Sequence, residues 1–307
     1  MDSILVLLGV ALLFFGGESL VKGSASLSLR LGLSQLVVGL TIVSIATSTP
    51  ELVVSVQAAF AGKGDIALGN VIGSNIVNIG LILGMTALVQ PIVIHKRLLK
   101  IDAWIMLLAT LLLIALTLFG KITPLWGFIL LICSALYIFL SIFKSTKESV
   151  GEEEIKKTAS VWIDLFLLGM GLTGLILGGN FFLKGSISIA QNFGVSDAVI
   201  GLSLIALGTS LPELATSVIA AWRNHPDIAV GNVIGSNIFN IFTVLGVTSA
   251  IQPIDVQDIT NTDCVALFLF SFILVVQMYT QKKLSRFEGF TLIAGYTAYI
   301  AYLYTLQ

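Results

Sequence analysis

Two short stretches, Thr47-Ser48-Thr49-Pro50-Glu51 and Thr209-Ser210-Leu211-Pro212-Glu213, interrupt runs that are otherwise apolar, Leu36 to Ala61 and Ala198 to Ala221. Each run is long enough to cross a bilayer, which takes ~20 predominantly apolar residues. A carboxylate near the middle of such a helix costs ~2.5–3.5 kcal/mol on the most lenient insertion scale. Proline removes a backbone donor and crowds the preceding turn, so the helix bends or breaks where the glutamate emerges, and carbonyls upstream become available. Irregular backbone at that depth is tolerated only where it faces a cavity or is buried in protein. Two equivalent interruptions of this kind point to one shared site.

The rest of the chain fits a membrane setting. Of 307 residues, 56% are hydrophobic and 11% charged, against about 25% charged in a soluble domain. The expected fold class is an all-α integral membrane protein. Hydropathy and turn residues predict ten spans: Ile4–Leu27, Leu36–Phe60, Ile66–Val89, Ile101–Leu118, Leu125–Phe143, Trp162–Ile189, Val195–Trp222, Ile228–Ile251, Val265–Tyr279 and Phe287–Leu303. The first lacks the basic leader of a cleaved signal peptide and reads as a transmembrane helix. Lys144 to Ser160 is the one long polar interruption and reads as a solvated linker. Cys133 and Cys264 lie in apolar context and read as reduced thiols. The net charge of −1 says nothing about nucleic acid, because the basic residues cluster in short loops rather than on one face, and no nucleic-acid partner is expected.

Those basic residues set an orientation. One side collects Arg30, Lys96, Arg97, Lys100, Lys144, Lys147, Lys156, Lys157, Arg223, Lys282, Lys283 and Arg286, whereas the other keeps Lys63 and Lys121. The positive-inside rule then predicts both termini outside, the linker in the cytoplasm, and residence in the cell membrane.

The halves repeat without a gap at one constant offset, the one that carries Glu51 onto Glu213. Gly16-Gly17 matches Gly178-Gly179, Lys22-Gly23-Ser24 matches Lys184-Gly185-Ser186, Gly32 matches Gly194 and Gly39 matches Gly201. Gly69-Asn70-Val71-Ile72-Gly73-Ser74-Asn75-Ile76 recurs letter for letter as Gly231 to Ile238, and Gln90-Pro91 returns as Gln252-Pro253. The predicted organisation is a first five-helix repeat over 1–143 (α-repeat about 36–91), the linker 144–160, and a second repeat over 161–307 (α-repeat about 198–253). Five is odd, so the second repeat must enter the membrane upside down. Inverted repeats with broken helices, here the second and seventh, are a transporter signature with the site at the midplane.

The third span of each repeat completes the donor set. Ser74 and Asn78 lie four apart and share a helix face, as do Ser236 and Asn240. Together the repeats supply hydroxyls from Thr47, Ser48, Thr209, Ser210, Ser74 and Ser236, amides from Asn78 and Asn240, and carboxylates from Glu51 and Glu213. No histidine or cysteine is within reach. An all-oxygen set suits hard cations, since Ca²⁺ takes 6–8 oxygens in a flexible shell and soft metals want sulfur or imidazole. Two carboxylates balance one divalent charge or serve several Na⁺ at smaller subsites.

Plainer roles stand beside these. Glu51 and Glu213 could be buried structural carboxylates, but the same Thr-Ser-x-Pro lead-in twice speaks against it. The Thr and Ser hydroxyls can bond to carbonyls left by the kink, a role compatible with ligation. The Gly-x-x-x-Gly spacings read as helix packing, and Asn75 and Asn237 as caps or interhelical hydrogen bonds. Glu18 and Lys22, four apart, read as a helix-face pair. His95 and His225 read as surface residues, and Asp255, Asp258 and Asp263 as a solvated loop.

These repeats resemble the α-repeats of the calcium:cation antiporter superfamily, specifically its sodium/calcium exchangers and their prokaryotic relatives. The resemblance covers the whole chain and is most specific at Gly208-Thr209-Ser210-Leu211-Pro212-Glu213 and at Gly-Asn-Val-Ile-Gly-Ser-Asn-Ile. It implies Glu51 and Glu213 as shared Ca²⁺ ligands, with the carbonyls of Thr47 and Thr209. It implies Na⁺ subsites from the Ser44 carbonyl, Thr47, Ser48, Glu51 and Ser74, and symmetrically from the Ala206 carbonyl, Thr209, Ser210, Glu213 and Ser236. Asn78 and Asn240 line the middle, and the first and sixth helices slide past a fixed core. Three departures matter. Ala46 stands where the family motif has glycine, as Gly208 does. Ser44 adds a hydroxyl opposite Ala206. Asn240 replaces an aspartate common in prokaryotic and potassium-dependent members, which weakens the case for K⁺ co-transport. The proton/calcium branch typically carries a glutamate where this chain has Asn78 and Asn240, which favours Na⁺ as the driving ion.

The expectation is therefore a secondary antiporter, not an enzyme, that exchanges Ca²⁺ for Na⁺. It needs no cofactor; its partners are the two ions and membrane lipid, and it works as a monomer. A proton-driven divalent-cation exchanger and a cation channel stay open as alternatives.

Overall fold

The apolar runs of the sequence become helices. In the computed structural model, which describes residues 2–143, 157–193, 206–256 and 259–305, these are α1 (Asp2–Leu31), α2 (Gln35–Thr47), α3 (Thr49–Phe60), α4 (Gly64–Val89), α5 (Leu98–Leu118) and α6 (Pro124–Phe143). They continue as α7 (Val161–Asn192), α8 (Ala206–Gly208), α9 (Leu211–Trp222), α10 (Pro226–Ile251), α11 (Asn261–Gln281) and α12 (Arg286–Thr305). Seven of the described helices (α1, α4, α5, α6, α7, α10 and α11) are long and apolar enough to cross a membrane, and α2 with α3, bent by 44° at Ser48, is an eighth. The linker residues 144–156, Gly194, Gly201 and Asp258 lie outside the described residues, and so does the start of the expected seventh span.

Local chemistry sets the boundaries. Gly32, at a φ of 67°, ends α1 in the left-handed conformation that glycine adopts without a Cβ penalty. Ser34 then caps α2 through its side chain, which accepts from the Val37 amide at 3.3 Å, so one of the first-turn donors is satisfied. Ser160 caps α7 the same way, and Thr260 with Asp263 forms a capping box on α11. α1 thus runs a turn beyond the expected Leu27.

Burial runs outward-in by helix rather than by residue type. Along an apolar 18-residue stretch, 78% of the residues of α4 and 89% of those of α10 are buried, against 33%, 28% and 22% for α1, α6 and α7. Large apolar side chains such as Phe15, Phe143 and Trp162 therefore face outward, as a hydrocarbon solvent allows and water does not. The main core forms around α4, α5 and α10, from residues such as Leu68, Ile79, Ile82, Met106, Val233 and Ile241.

Small residues let these helices touch backbone to backbone. On α1 and α7 a Cβ added to Gly16 would stand 2.8 Å from the Leu175 nitrogen, and one added to Gly171 2.6 Å from the Leu20 nitrogen. Gly39 of α2 meets Gly231 of α10 in a similar crossing, with a built Cβ 3.1 Å from the facing Cα. Two short antiparallel ladders close the ends: Ile92 and Val93 pair with Leu284 and Lys283, and Lys121 and Ile122 with Asp255 and Ile254. The offset between the halves relates one ladder to the other.

Candidate ion-binding site

Pro50 and Pro212 sit at the second helical position of α3 and α9, where a missing backbone donor does no harm. The breaks fall just before them, at Ser48 and at Thr209–Ser210. Each break places its glutamate in the first turn of the resuming helix, and both Glu51 and Glu213 are fully buried.

The two breaks cross. The Ser48 hydroxyl donates to Glu213 Oε1 at 2.9 Å, and the Ser210 hydroxyl donates to Glu51 Oε1 at 3.2 Å. Thr47 donates to Asn232 Oδ1 of α10 at 3.0 Å, which leaves its hydroxyl lone pairs free. The Thr209 hydroxyl lies beside the Glu51 carboxylate and the Ser236 hydroxyl beside Glu213, but without hydrogen-bond geometry. Asn70 and Asn232 brace the resuming helices: Asn70 Nδ2 donates to the Glu51 carbonyl at 3.1 Å and to Ser55 at 2.9 Å, and Asn232 Nδ2 donates to Ser217 at 3.0 Å.

Seven buried side-chain oxygens of the expected set have no hydrogen-bond partner among the described residues: Glu51 Oε2, Glu213 Oε2, Ser74 Oγ, Ser236 Oγ, Asn78 Oδ1, Asn240 Oδ1 and Thr209 Oγ1. A buried polar atom left unpaired costs about 1–3 kcal/mol, so such a concentration calls for an electropositive guest. No group of three or more His, Cys, Asp or Glu side chains forms a metal cage among the described residues. A hard cation held by mixed neutral and charged oxygens fits this donor set.

Two expected members enter through their main-chain carbonyls. The Ser44 carbonyl accepts from the Ser48 amide at 3.0 Å. The Ser44 hydroxyl donates back to the Leu40 and Thr41 carbonyls at 2.9 and 3.1 Å, so it serves its own helix. Ala206 opens α8 three residues ahead of Thr209. Thr216, one turn beyond Glu213, carries a further fully buried hydroxyl without a partner among the described residues. Its spacing of three from Glu213 was the available signal. The π-helical turns over Asn78–Leu83 and Asn240–Val244, which open at the two site asparagines, had no signal in sequence.

Several peripheral expectations change. Glu18 pairs with Arg223 across helices rather than with Lys22 one turn away. His95 and His225 are half-buried and engaged, His95 with Asp227 at 3.0 Å and His225 with Gln35 at 3.0 Å. Asp255 pairs with Lys121 at 3.0 Å, and Asp263 is committed to the α11 cap and to the Tyr299 hydroxyl at 2.8 Å. Both cysteines are free thiols, and Asn75 and Asn237 make the expected interhelical hydrogen bonds.

The sequence matches the family described as sodium/calcium exchanger protein over residues 2–143 and 163–305. It is 31% identical to the sodium/calcium exchanger MaX1 of Methanosarcina acetivorans, with 98% of each chain covered. It is 32% identical to the inner membrane protein YrbG of Escherichia coli over 99% of this chain and 97% of that one. A solved structure of the sodium-calcium exchanger NCX_Mj, soaked with zero Na⁺ and Ca²⁺, superposes with a TM-score of 0.86 at 34% identity, covering 98% of both chains. With both halves matched and the fold shared from end to end, this chain belongs to the sodium/calcium exchanger family and is a multi-pass membrane protein.

Proposed function

We propose that the chain is a secondary antiporter that moves Ca²⁺ outward against Na⁺ moving inward, both competing for one midplane site built from Glu51, Glu213 and the surrounding hydroxyls and amides. The observation that carries this reading is the pair of reciprocal contacts, Ser48 to Glu213 and Ser210 to Glu51. They make the two breaks one site, edged by unpartnered oxygens. Competition couples the fluxes. Two uncompensated buried charges resist reorientation, because a charge in low dielectric is expensive, and a loaded site neutralises them and permits it.

The proposed architecture is ten spans in two inverted repeats, 1–143 and 161–307, joined by a cytoplasmic linker with both termini outside. The ladders support the inversion. Ile92 follows the third span of the first repeat, and its partner Leu284 lies between the fourth and fifth spans of the second. One span separates the corresponding loops within a repeat, so hydrogen bonding between them is what opposite insertion of the two repeats would bring about. The glycine contact between α1 and α7 supports a unit of two helices that can move against the core around α4 and α10 in alternating access. Asn78 and Asn240, where the proton branch has glutamate, support Na⁺ as the driving ion.

The test is ⁴⁵Ca²⁺ uptake into proteoliposomes loaded with Na⁺, with K⁺-loaded and pH-jumped controls. Uptake that needs internal Na⁺ and is lost in Glu213→Gln is the expected result. Uptake driven by the pH jump alone would move the protein to the proton branch, and uptake without any counter-ion gradient would make it a channel.

A further inference from the structure

Four asparagines lock together where α4 crosses α10, and every one is at most 1% exposed. Asn75 Nδ2 donates to the main-chain carbonyl of Asn237 at 3.2 Å, and Asn237 Nδ2 to that of Asn75 at 3.5 Å. A main-chain carbonyl can only accept, so each of these amides must turn its NH₂ group there and its Oδ1 the other way. Asn240 Nδ2 donates to Asn75 Oδ1 at 3.1 Å, and Asn78 Nδ2 donates to Asn237 Oδ1 at 3.0 Å. The NH₂ ends of Asn78 and Asn240 are thereby occupied. Their Oδ1 atoms are the free ends, buried and without partners among the described residues.

An asparagine amide is nearly symmetric in shape, so shape alone does not choose which end meets a cation. Turned one way it offers an oxygen ligand, and turned the other it offers two positive hydrogens. We propose that Asn75 and Asn237 are positioning residues: anchored on each other's main-chain carbonyl, they fix the amides of Asn78 and Asn240 so that each presents its oxygen to the transported cation. This rests on the exchanger reading above. The orientation is set across the two halves, since Asn75 governs Asn240 and Asn237 governs Asn78, so neither half builds its own ligand. Outer-shell partners that orient a metal ligand typically change affinity about 10–100-fold when removed.

The experiment is a double-mutant cycle on the purified full-length protein, read by equilibrium ⁴⁵Ca²⁺ binding. Asn75→Leu keeps the side-chain volume close and removes the acceptor that holds Asn240. It is expected to weaken Ca²⁺ binding at least tenfold. In the Asn240→Leu background, adding Asn75→Leu is expected to cause no further loss, because the ligand that it positions is already gone. Additive losses would show that Asn75 acts independently of Asn240 and would overturn the proposal. The pair Asn237→Leu and Asn78→Leu runs the same cycle and decides the matter if Asn75→Leu does not give folded protein. Wild-type binding with unchanged affinity in both positioning variants overturns the relay alone. A wild type that binds no Ca²⁺ overturns the exchanger reading and the relay with it.

Discussion

At the scale of single residues, polar atoms buried in an apolar helix identify themselves, and their orientation does not. Glu51, Glu213 and the neighbouring hydroxyls stand out in sequence because each breaks the energetics of a membrane span. The direction of an amide depends on a partner in the other half of the chain, and nothing local reports it. The same limit applies to Asp102, which sequence reading passed over. It is fully buried, accepts from the Tyr137 hydroxyl at 3.1 Å and lies 3.5 Å from the Arg97 guanidinium. Tyr137→Phe leaves Asp102 Oδ1 without that donor and is expected to destabilise the protein by about 1–3 kcal/mol, read as a lower midpoint in thermal unfolding in detergent. The competition of Na⁺ with Ca²⁺ should be unchanged. The Glu18–Lys22 spacing misled for a related reason: an i, i+4 ion pair is worth only ~0.2–0.5 kcal/mol, and the Arg223 guanidinium takes Glu18 instead.

At the scale of elements, hydropathy located helices well because the solvent around them demands closed backbone hydrogen bonding. Proline located the breaks to within two or three residues, at Ser48 and at Thr209–Ser210. The π-helical turns at Asn78–Leu83 and Asn240–Val244 stayed hidden. Their two sequences share only Asn-Ile at the start, and only the first contains a glycine. The Gly-x-x-x-Gly spacings read as packing, and the second of them bears this out: a Cβ built on Gly231 would stand 2.7 Å from the Leu36 carbonyl and one on Gly235 2.5 Å from that of Leu40, whereas at Gly69 it would meet only the Ile259 side chain at 3.9 Å and at Gly73 no atom within 4 Å among the described residues. Gly16→Val would drive a methyl into the backbone of Gly171 to Leu175, an overpacking cost of about 1–3 kcal/mol. Gly169→Ala, whose Cβ meets no atom within 4 Å among the described residues, should stay within ~0.5 kcal/mol of the parent. Thermal stability of the two variants side by side checks this, and equal losses would contradict it.

At the scale of the whole molecule, the repeat is legible in one line of sequence, and its consequence in space is the exchange of partners between halves. Serines of each break donate to the glutamate of the other, and Asn75 and Asn237 each accept from an asparagine of the other half, Asn240 and Asn78. The proposed sidedness is testable in the same terms. In a background with Cys133 and Cys264 replaced by serine, Lys121→Cys should react with an impermeant maleimide from outside the cell. Lys283→Cys, in the opposite ladder, should react only after the membrane is opened. Labelling of both from the same side would contradict inverted insertion.

The central claim is that Glu51 and Glu213 form one site for which Na⁺ and Ca²⁺ compete. Equilibrium ⁴⁵Ca²⁺ binding to the purified protein, titrated with NaCl against choline chloride, measures it directly. The account predicts that Na⁺ displaces Ca²⁺ completely and competitively, and that Glu51→Gln and Glu213→Gln each abolish tight binding. Calcium binding that Na⁺ leaves in place, or that survives the loss of either carboxylate, would contradict it.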